Sequence, residues 1–136
     1  MGYTHYWSHS KVDQKNFDAL AKDVKAILKK TKVEVRFEYD DSSPPKVDDE
    51  SIQFNGVGNE GHETFILTPK AVEFEFCKTA RKPYDEVVTA CLLAAADHIP
   101  DISIRSDGIW AEWEDGRALY EKVTKRKAKR PPEVEE

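Results

Sequence analysis

The side chains best suited to chemistry lie between a strand pattern and a helix pattern. Lys78, Thr79, Arg81 and Lys82 occur within five residues, and Pro83 follows at a position where helices commonly begin. A guanidinium can hold two phosphate oxygens at once, a lysine adds a point charge, and a threonine hydroxyl can donate to a third oxygen. The first turn of a helix contributes unpaired N–H groups and the positive end of its dipole. We therefore expect a pocket for a phosphate or a carboxylate here.

The residues that follow oppose this interpretation. Asp85 and Glu86 fall in the first turn of the predicted helix, where they offer the dipole its usual internal partners. Cations beside a helix N-terminus also oppose that dipole. The alternative is a solvated basic turn that balances an acidic protein.

A second candidate is the glycine-rich segment of residues 55–64, which ends in His62, Glu63 and Thr64. Glycines permit positive φ and close backbone approach, so they could bring N–H groups to an anion. The spacing does not match the nucleotide-binding fingerprints, which need a strand before and a helix after. We expect His62 and Glu63 to meet a sugar or a second phosphate; the alternative is a hairpin loop whose side chains tie its ends together.

Aromatic residues cluster near the N-terminus. On a strand, Tyr3, His5 and Trp7 share one face, and Thr4 and Tyr6 share the other. One set is expected in the core, and the other could stack a base, a contact worth roughly 1–3 kcal/mol. Tyr6 or Trp7 is therefore the predicted stacking residue.

The histidines are the natural place to look for catalysis. His5 and His62 could serve as a general acid and base in phosphodiester cleavage, provided that they lie close together. His5 and His9 are four residues apart, but on a strand and turn pattern rather than on a helix face, so we expect no metal site. No supporting motif surrounds a serine or cysteine nucleophile. We assign no catalytic residue and expect no cofactor.

Hydrophobic periodicity predicts helices and short strands in alternation. The helical segments are residues 13–31, residues 83–99 and a last helix from about Asp115. The strand patterns are residues 3–8, 33–39, 52–54, 64–67, 72–76 and 102–104. Residues 40–50 are predicted as loop, and residues 109–110 as a short hairpin partner. Most strand connections are too short for a crossover helix, so the expected class is α+β, a mainly antiparallel sheet packed with two or three helices.

Length and composition limit the number of domains, the kinds of partner and the cellular compartment. A chain of 136 residues is one domain, which we place at residues 1–124, followed by a charged and flexible tail at residues 125–136. The net charge of −5 argues against general nucleic-acid binding, although the tail is basic. No segment resembles a signal peptide or a membrane span, and two isolated cysteines fit a reducing compartment. We expect a cytoplasmic protein with no membrane partner and with Cys77 and Cys91 as buried thiols.

Four segments together resemble a family of small, uncharacterised proteins from phages and prophages. They are GYTHYW at residues 2–7, FNGVGNEGHETF at residues 54–65, FCKTARKPYD at residues 76–85, and SDGIW with a following WEDGRALY at residues 106–120. The resemblance covers most of the chain except residues 40–50 and the tail. It implies a phage setting, where small accessory proteins often counter host defence, and it implies little chemistry.

The leading hypothesis is a phage accessory protein that sequesters an anionic, nucleotide-like molecule, such as a host-defence signal. Lys78, Thr79, Arg81 and Lys82 would hold the phosphates. A first alternative is an anti-defence protein that inhibits a host protein by direct binding through its acidic surface. A second is a metal-independent phosphodiesterase that uses His5 and His62. Binding proteins of this size often pair so that pockets form between the copies, so a homo-oligomer is a further expectation.

Overall fold

The N-terminal strand lies at the centre of a three-stranded antiparallel sheet. The computed structural model describes residues 2–136. Its helices are α1 (Gln14–Lys30), α2 (Asp85–His98) and α3 (Glu114–Thr124). Its strands are β1 (Thr4–His9), β2 (Val35–Arg36), β3 (Lys46–Val47), β4 (Ile52–Gly56), β5 (Phe65–Leu67), β6 (Val72–Lys78) and β7 (Ser103–Ser106). The first sheet has the order β6-β1-β7, and both neighbours of β1 are antiparallel to it.

Register in the first sheet decides which aromatic set is buried. His5 lies opposite Cys77 and Ser106, and Trp7 lies opposite Ile104, so these side chains share the inner face. Trp7 is 2% exposed, whereas Phe76 opposite Tyr6 is 45% exposed. The set of Tyr3, His5 and Trp7 is therefore the core set, and Tyr6 faces outward.

The second sheet is built around β4. Strands β2 and β3 pair with its two ends, at Asn55 and Gly56 and at Ile52 and Gln53, while β5 pairs with residues 52–54. Every pairing is antiparallel, and Phe54 and Phe65 from paired strands are fully buried. The second sheet thereby holds the glycine-rich segment between β4 and β5.

The three helices close one core. Asp13 caps α1 by accepting from the N–H of Lys15 at 2.8 Å, as Asp does at many helix starts. Helix α2 is buried nearly all round, from Val87 to Ala95, because it packs against both other helices. Gly116 of α3 lies so close to α2 that a Cβ there would meet Thr89 Oγ1 at 1.8 Å. The fold is a single α+β domain, as predicted.

Several predicted boundaries differ from the structure. The alternating pattern of residues 33–39 forms a strand over β2, with Glu38 in an isolated bridge to Asp41, and the predicted loop at residues 40–50 contains β3. Residues 109–110 form no hairpin partner, because a 3-10 helix occupies Trp110–Trp113. Helix α2 begins at Asp85 rather than at Pro83, since the N–H of Asp85 closes a turn on the carbonyl of Lys82 at 2.9 Å.

The C-terminal segment, predicted as a flexible tail from residue 125, lies against the domain. Val134 is fully buried within the core, and Pro131 is buried as well. The N–H of Trp110 donates to the carbonyl of Glu135 at 2.6 Å. Within residues 2–136, no helix is long and apolar enough to cross a membrane.

Candidate functional site

The turn between β6 and α2 adopts a sparsely populated backbone conformation. Ala80 and Arg81 have φ values of 53° and 59°, in the left-handed region that non-glycine residues rarely adopt. The N–H groups of Thr79 and Ala80 both donate to the carbonyl of Tyr3, at 3.0 and 3.2 Å. Such positions persist only where their surroundings hold them, and they concentrate at functional sites. The turn is thus a constrained support for Arg81 and Lys82.

Two of the predicted ligand residues are engaged within the protein. Thr79 is fully buried, and its hydroxyl donates to Asp85 Oδ1 at 2.6 Å. Glu63 Oε1 accepts from the N–H of Lys78 at 2.7 Å. The Thr79 hydroxyl and the Glu63 carboxylate therefore fasten the turn to its neighbours.

His5 is a fully buried link between two elements. Its Nε2 lies 2.7 Å from Asp85 Oδ1, and its Nδ1 lies 2.9 Å from Ser106 Oγ. Ser106 Oγ also accepts from the N–H of Gly108 at 2.9 Å and from Nε1 of Trp113 at 3.3 Å. Because both lone pairs of that oxygen are used, its own proton goes to Nδ1, which leaves the His5 proton on Nε2, facing Asp85. Both ring nitrogens are occupied, so His5 presents neither to a cleft.

Arg81 is committed to an internal partner. Its guanidinium bonds to the carboxylate of Glu112 and lies 4.0 Å from the ring centroid of Tyr3. Glu112 also accepts from the N–H of Ile109 at 3.1 Å. The hydrogen bond from Arg81 lowers the pKa of the Glu112 carboxyl, and the same bond raises the pKa of Arg81. The charge of Arg81 is thereby balanced before any ligand arrives.

The cleft at the start of α2 is acidic. It has a volume of about 220 Å³, and we name it the acidic cleft. Its lining residues are Tyr3, Arg81, Lys82, Pro83, Asp85, Glu86, Glu112, Asp115 and Gly116. Four carboxylates face two cations, and burial together with Asp115 and Asp85 raises the pKa of Glu86. This charge balance disfavours a phosphate where the sequence places one.

A second cleft lies on the other side of Lys82. It has a volume of about 350 Å³, and we name it the loop cleft. Its lining residues are Tyr39, Gly58, Asn59, Gly61, His62 and Lys82. Among residues 2–136, no carboxylate lines this cleft. Lys82 and His62 come from two separately predicted segments, and Tyr39, 51% exposed, adds an accessible aromatic face.

The wall of the loop cleft is held by one buried amide. Asn55 Nδ2 donates to the carbonyl of His62 at 3.0 Å and to Thr64 Oγ1 at 3.1 Å. Its Oδ1 accepts from the N–H groups of Gly56 and His62, at 2.7 and 3.1 Å. The segment therefore forms the hairpin loop, tied together by side chains, that the sequence predicts as the alternative. The hydrogen bonds of Asn55 fix the position of the His62 backbone.

The remaining predicted residues lie outside both clefts. Trp7 packs in the core with its ring centroid 5.3 Å from that of Phe65. Tyr6 points outward, and its hydroxyl donates to Asp107 Oδ1 at 3.0 Å. The side chain of Lys78 runs beside Gly2, where a Cβ would meet Lys78 Cε at 2.4 Å. The structure therefore joins Lys82 with His62, and Arg81 with Lys82, but does not assemble all nine predicted residues.

Three important residues were missed by sequence reasoning. Tyr39 ends the alternating pattern of residues 33–39, which predicted a strand, but β2 ends at Arg36 and Tyr39 lies beyond that strand, 51% exposed. Glu112 carried no signal, because its partner Arg81 lies 31 residues away. Ser106 carried no signal beyond its place at the start of the SDGIW segment. Contacts between residues far apart in the chain leave no local pattern in the sequence.

The remaining candidate reactive groups are the two thiols and the side chains that could hold a metal ion. Cys77 and Cys91 are free and buried, and burial raises the pKa of Cys77 to about 12. Among residues 2–136, no cluster of three or more His, Cys, Asp or Glu side chains is arranged to hold a metal ion. Comparison of the chain with protein-family models, with curated proteins and with solved structures gave no match.

Proposed function

We propose that the protein binds an anionic, nucleotide-like small molecule in the loop cleft. The observation that carries the proposal is the meeting of Lys82, His62 and Tyr39 around one open cleft of about 350 Å³, whose lining within residues 2–136 includes no carboxylate. Ligand sites of small molecules typically start at about 300 Å³, so a mononucleotide-sized group fits.

Each lining residue has a distinct part in this proposal. Lys82 supplies a positive charge to a phosphate, and a charged hydrogen bond of this kind is stronger than a neutral one. The exposed ring of Tyr39 stacks a base. His62, whose backbone is fixed by Asn55, and the side chain of Asn59 meet the sugar or a second phosphate. The ligand set is thus smaller than the sequence suggested and shifted toward the glycine-rich loop.

The resemblance to phage and prophage proteins supplies the setting of the proposal. A small accessory protein in the cytoplasm of an infected host would act by holding a nucleotide signal of host defence away from its receptor. The occupied ring nitrogens of His5 favour sequestration over the two-histidine cleavage mechanism, because that mechanism needs a free nitrogen on each histidine.

A thermal-shift screen tests the proposal. The purified protein is heated with mononucleotides, cyclic dinucleotides and trinucleotides, and ADP-ribose derivatives, and each hit is analysed for conversion. A ligand at a hundred times its dissociation constant stabilises the fold by roughly 2.7 kcal/mol, which is several degrees in a domain of this size. The ligand is expected back unchanged; a converted ligand would support an enzyme instead.

Substitutions of the lining residues identify which cleft holds the ligand. Lys82→Ala and Tyr39→Ala are each expected to weaken binding of the best hit by about tenfold or more. Arg81→Ala is the informative contrast, because Arg81 lines the acidic cleft and not the loop cleft, so affinity should be nearly unchanged. Lys129→Ala removes an exposed lysine elsewhere and serves as the matched charge control. Full affinity in both Lys82→Ala and Tyr39→Ala, or a loss confined to Arg81→Ala, would place the ligand elsewhere.

A further inference from the structure

The charges of the protein are segregated between two parts of the chain. Residues 14–32, which include α1, and residues 122–130, which begin in the last turn of α3, hold twelve Lys and Arg residues against two Asp residues, a net charge of +10. The other 108 residues hold nine Lys and Arg residues against 24 Asp and Glu residues, a net charge of −15. The net charge of −5 is therefore the sum of two opposed parts and describes neither of them.

The two basic segments meet in the structure. Arg126 Nη2 lies 2.6 Å from Asp23 Oδ2 of α1, so the chain that follows α3 is fastened to the side of α1. The end of α1 and the last turn of α3 also share one cleft, whose charged lining residues are the cations Lys30, Lys32 and Lys122 and the carboxylates Glu86 and Asp115. The positive charge of both segments is thus concentrated on the helical side of the protein.

The solvent face of α1 carries a row of exposed lysines. They are Lys15, Lys22, Lys25 and Lys29, and we name them the basic face. A step of seven residues turns a helix by only about 20° from a common face, so the first, second and fourth of these lysines stay in line. At a rise of 1.5 Å per residue, the row is about 21 Å long. The opposite side of α1 is buried, at Phe17, Leu20, Val24 and Ile27.

The charge of the basic face is not balanced within the protein. Among residues 2–136, none of its four lysines lies within ion-pair distance of a carboxylate. Asp18, within the row, accepts from Nε2 of Gln14 at 2.8 Å. Asp23, at the side of α1, is paired with Arg126 and with His98. The lysines of the basic face therefore remain available to an external polyanion.

The other side chains of α1 narrow the kind of polyanion. A single-stranded nucleic acid is held largely by stacking of its bases on aromatic rings, and the one aromatic residue of α1, Phe17, is buried. An anionic membrane surface takes large apolar side chains from a helix, but the solvent face of α1 offers only Ala19 and Ala26 beside its lysines. The remaining contact is that of ammonium groups with the phosphates of a duplex, which supplies binding without sequence preference.

We propose that the basic face binds the phosphate backbone of double-stranded DNA, whatever its base sequence. B-form DNA carries one negative charge per about 1.7 Å of its axis, so a row of this length meets several phosphates at once. Because α1 is packed on the core along its other side, it lies against the backbone and does not enter a groove. Duplex RNA is recognised mostly through its shape and its 2′-hydroxyl groups, and the lysines and alanines of this face have no hydroxyl or amide group for that purpose. The basic face shares no residue with the loop cleft, so the two proposals are tested separately.

Fluorescence anisotropy of a labelled DNA duplex of 16 base pairs tests the proposal. The full chain is expected to bind it saturably in 50 mM NaCl, with a dissociation constant of about 1–100 μM, and to bind a duplex of unrelated sequence equally. Four phosphate contacts predict a roughly hundredfold loss of affinity between 50 and 200 mM NaCl. A labelled RNA duplex of the same length and a labelled polyglutamate are titrated in parallel, and both are expected to bind more weakly.

Two double variants with the same net charge of −7 separate the basic face from a general effect of charge. Lys22→Ala, Lys29→Ala is expected to weaken DNA binding at least about tenfold in 50 mM NaCl and to reduce the salt dependence by about two counterions. Alanine is the best helix former, so α1 is preserved. Lys78→Ala, Arg105→Ala removes two cations from the outer face of the first sheet, and affinity should change by less than about twofold.

Three results would overturn the proposal. The first is the absence of saturable DNA binding in 50 mM NaCl. The second is an equal loss of affinity in the two double variants, which would attribute the binding to net charge alone. The third is binding of the RNA duplex or of polyglutamate at least as tight as that of DNA, which would assign the basic face to RNA or to an acidic protein.

Discussion

At the scale of single residues, the site is dominated by polar side chains that are already satisfied. His5, Asp85, Thr79 and Ser106 form one hydrogen-bonded network at distances of 2.6 to 2.9 Å. A buried polar group costs free energy unless it is paired, so this network positions the turn before α2 and leaves little free capacity for a ligand. Tyr3 lies beside this network, and its hydroxyl is a polar group that is not satisfied.

The hydroxyl of Tyr3 has no hydrogen-bond partner among residues 2–136, although it is buried. Ser106 cannot serve it, because that hydroxyl already accepts two bonds and donates one. We expect Tyr3→Phe to raise the free energy of unfolding at pH 7 by about 1 kcal/mol, since it removes an unsatisfied buried group. Urea unfolding measures this directly, and a loss of stability would show that the hydroxyl has a partner in solution.

The same substitution should change the response to alkaline pH. Burial, with Asp85 and Glu112 nearby, raises the pKa of Tyr3 from the ordinary tyrosine value of about 10 to about 12. The folded state holds this proton more tightly than the unfolded state, so the stabilisation is complete below pH 10 and is lost as the pH rises through about 12. Unfolding free energies at pH 9, 10 and 11 should therefore fall less steeply in Tyr3→Phe than in the wild type. Parallel profiles would contradict this assignment.

At the scale of elements, the hairpin between β4 and β5 is the part whose geometry the loop cleft needs. Gly61 lies against the start of that hairpin, and a Cβ there would be 2.5 Å from the carbonyl oxygen of Gly56 and 2.7 Å from Asn55 Oδ1. Gly58 has a positive φ of 55°, but a Cβ there would meet no atom within 4 Å. The two positions therefore favour glycine for different reasons, Gly61 because a Cβ has no space and Gly58 because its φ is positive.

Gly61→Ala is expected to lower the free energy of unfolding by about 1–3 kcal/mol, because backbone must move to admit the methyl group. It should also weaken ligand binding, since the Asn55 bonds that hold His62 are displaced. Gly58→Asn is the matched control, because asparagine tolerates the left-handed region better than most residues, and a change below about 0.5 kcal/mol is expected. Thermal and urea unfolding of both variants decide the matter; similar losses in the two would contradict the steric explanation.

At the scale of the whole molecule, the C-terminal segment joins the helices together. Arg126 Nη2 lies 2.6 Å from Asp23 Oδ2 of α1, and Nε lies 3.0 Å from Asp97 Oδ2 of α2. His98 Nε2 shares Asp23 at 2.7 Å. Arg126, which lies in the charged segment that the sequence predicts to be a flexible tail, is thus paired within the protein. Val134, eight residues further, completes the attachment.

Val134→Ala tests whether that attachment contributes to folding. We expect the free energy of unfolding to fall by about 1–3 kcal/mol, because a fully buried side chain loses apolar contact and leaves a small cavity. Lys127→Ala, at an exposed position of the same segment, should change it by less than about 0.5 kcal/mol. Equal stability of the wild type and Val134→Ala, measured by urea unfolding, would restore the flexible tail that the charge pattern predicts.

Local periodicity was sufficient for much of the fold. The apolar spacing of residues 13–31 predicted α1 within one residue at each end, and the α+β class followed from short strand connections. Two contacts had no local sequence pattern. Lys46 and Val47 lie in a predicted loop, yet they pair with β4. Val134 is the only strongly apolar residue in a charged segment, yet it is buried in the core.

By itself, the sequence determined the helices, most of the strands, the buried thiols and the local clustering of cations before α2, because each depends on neighbours in the chain. Only the tertiary structure decided what those cations face. Glu112 and Asp115 make the cleft at α2 acidic, while Lys82 also lines the loop cleft together with His62, twenty residues earlier in the chain. The physical reason is that the charge of a site is the sum of the charges that strand order and helix packing bring together. The residues that carry those charges have no regular spacing in the sequence.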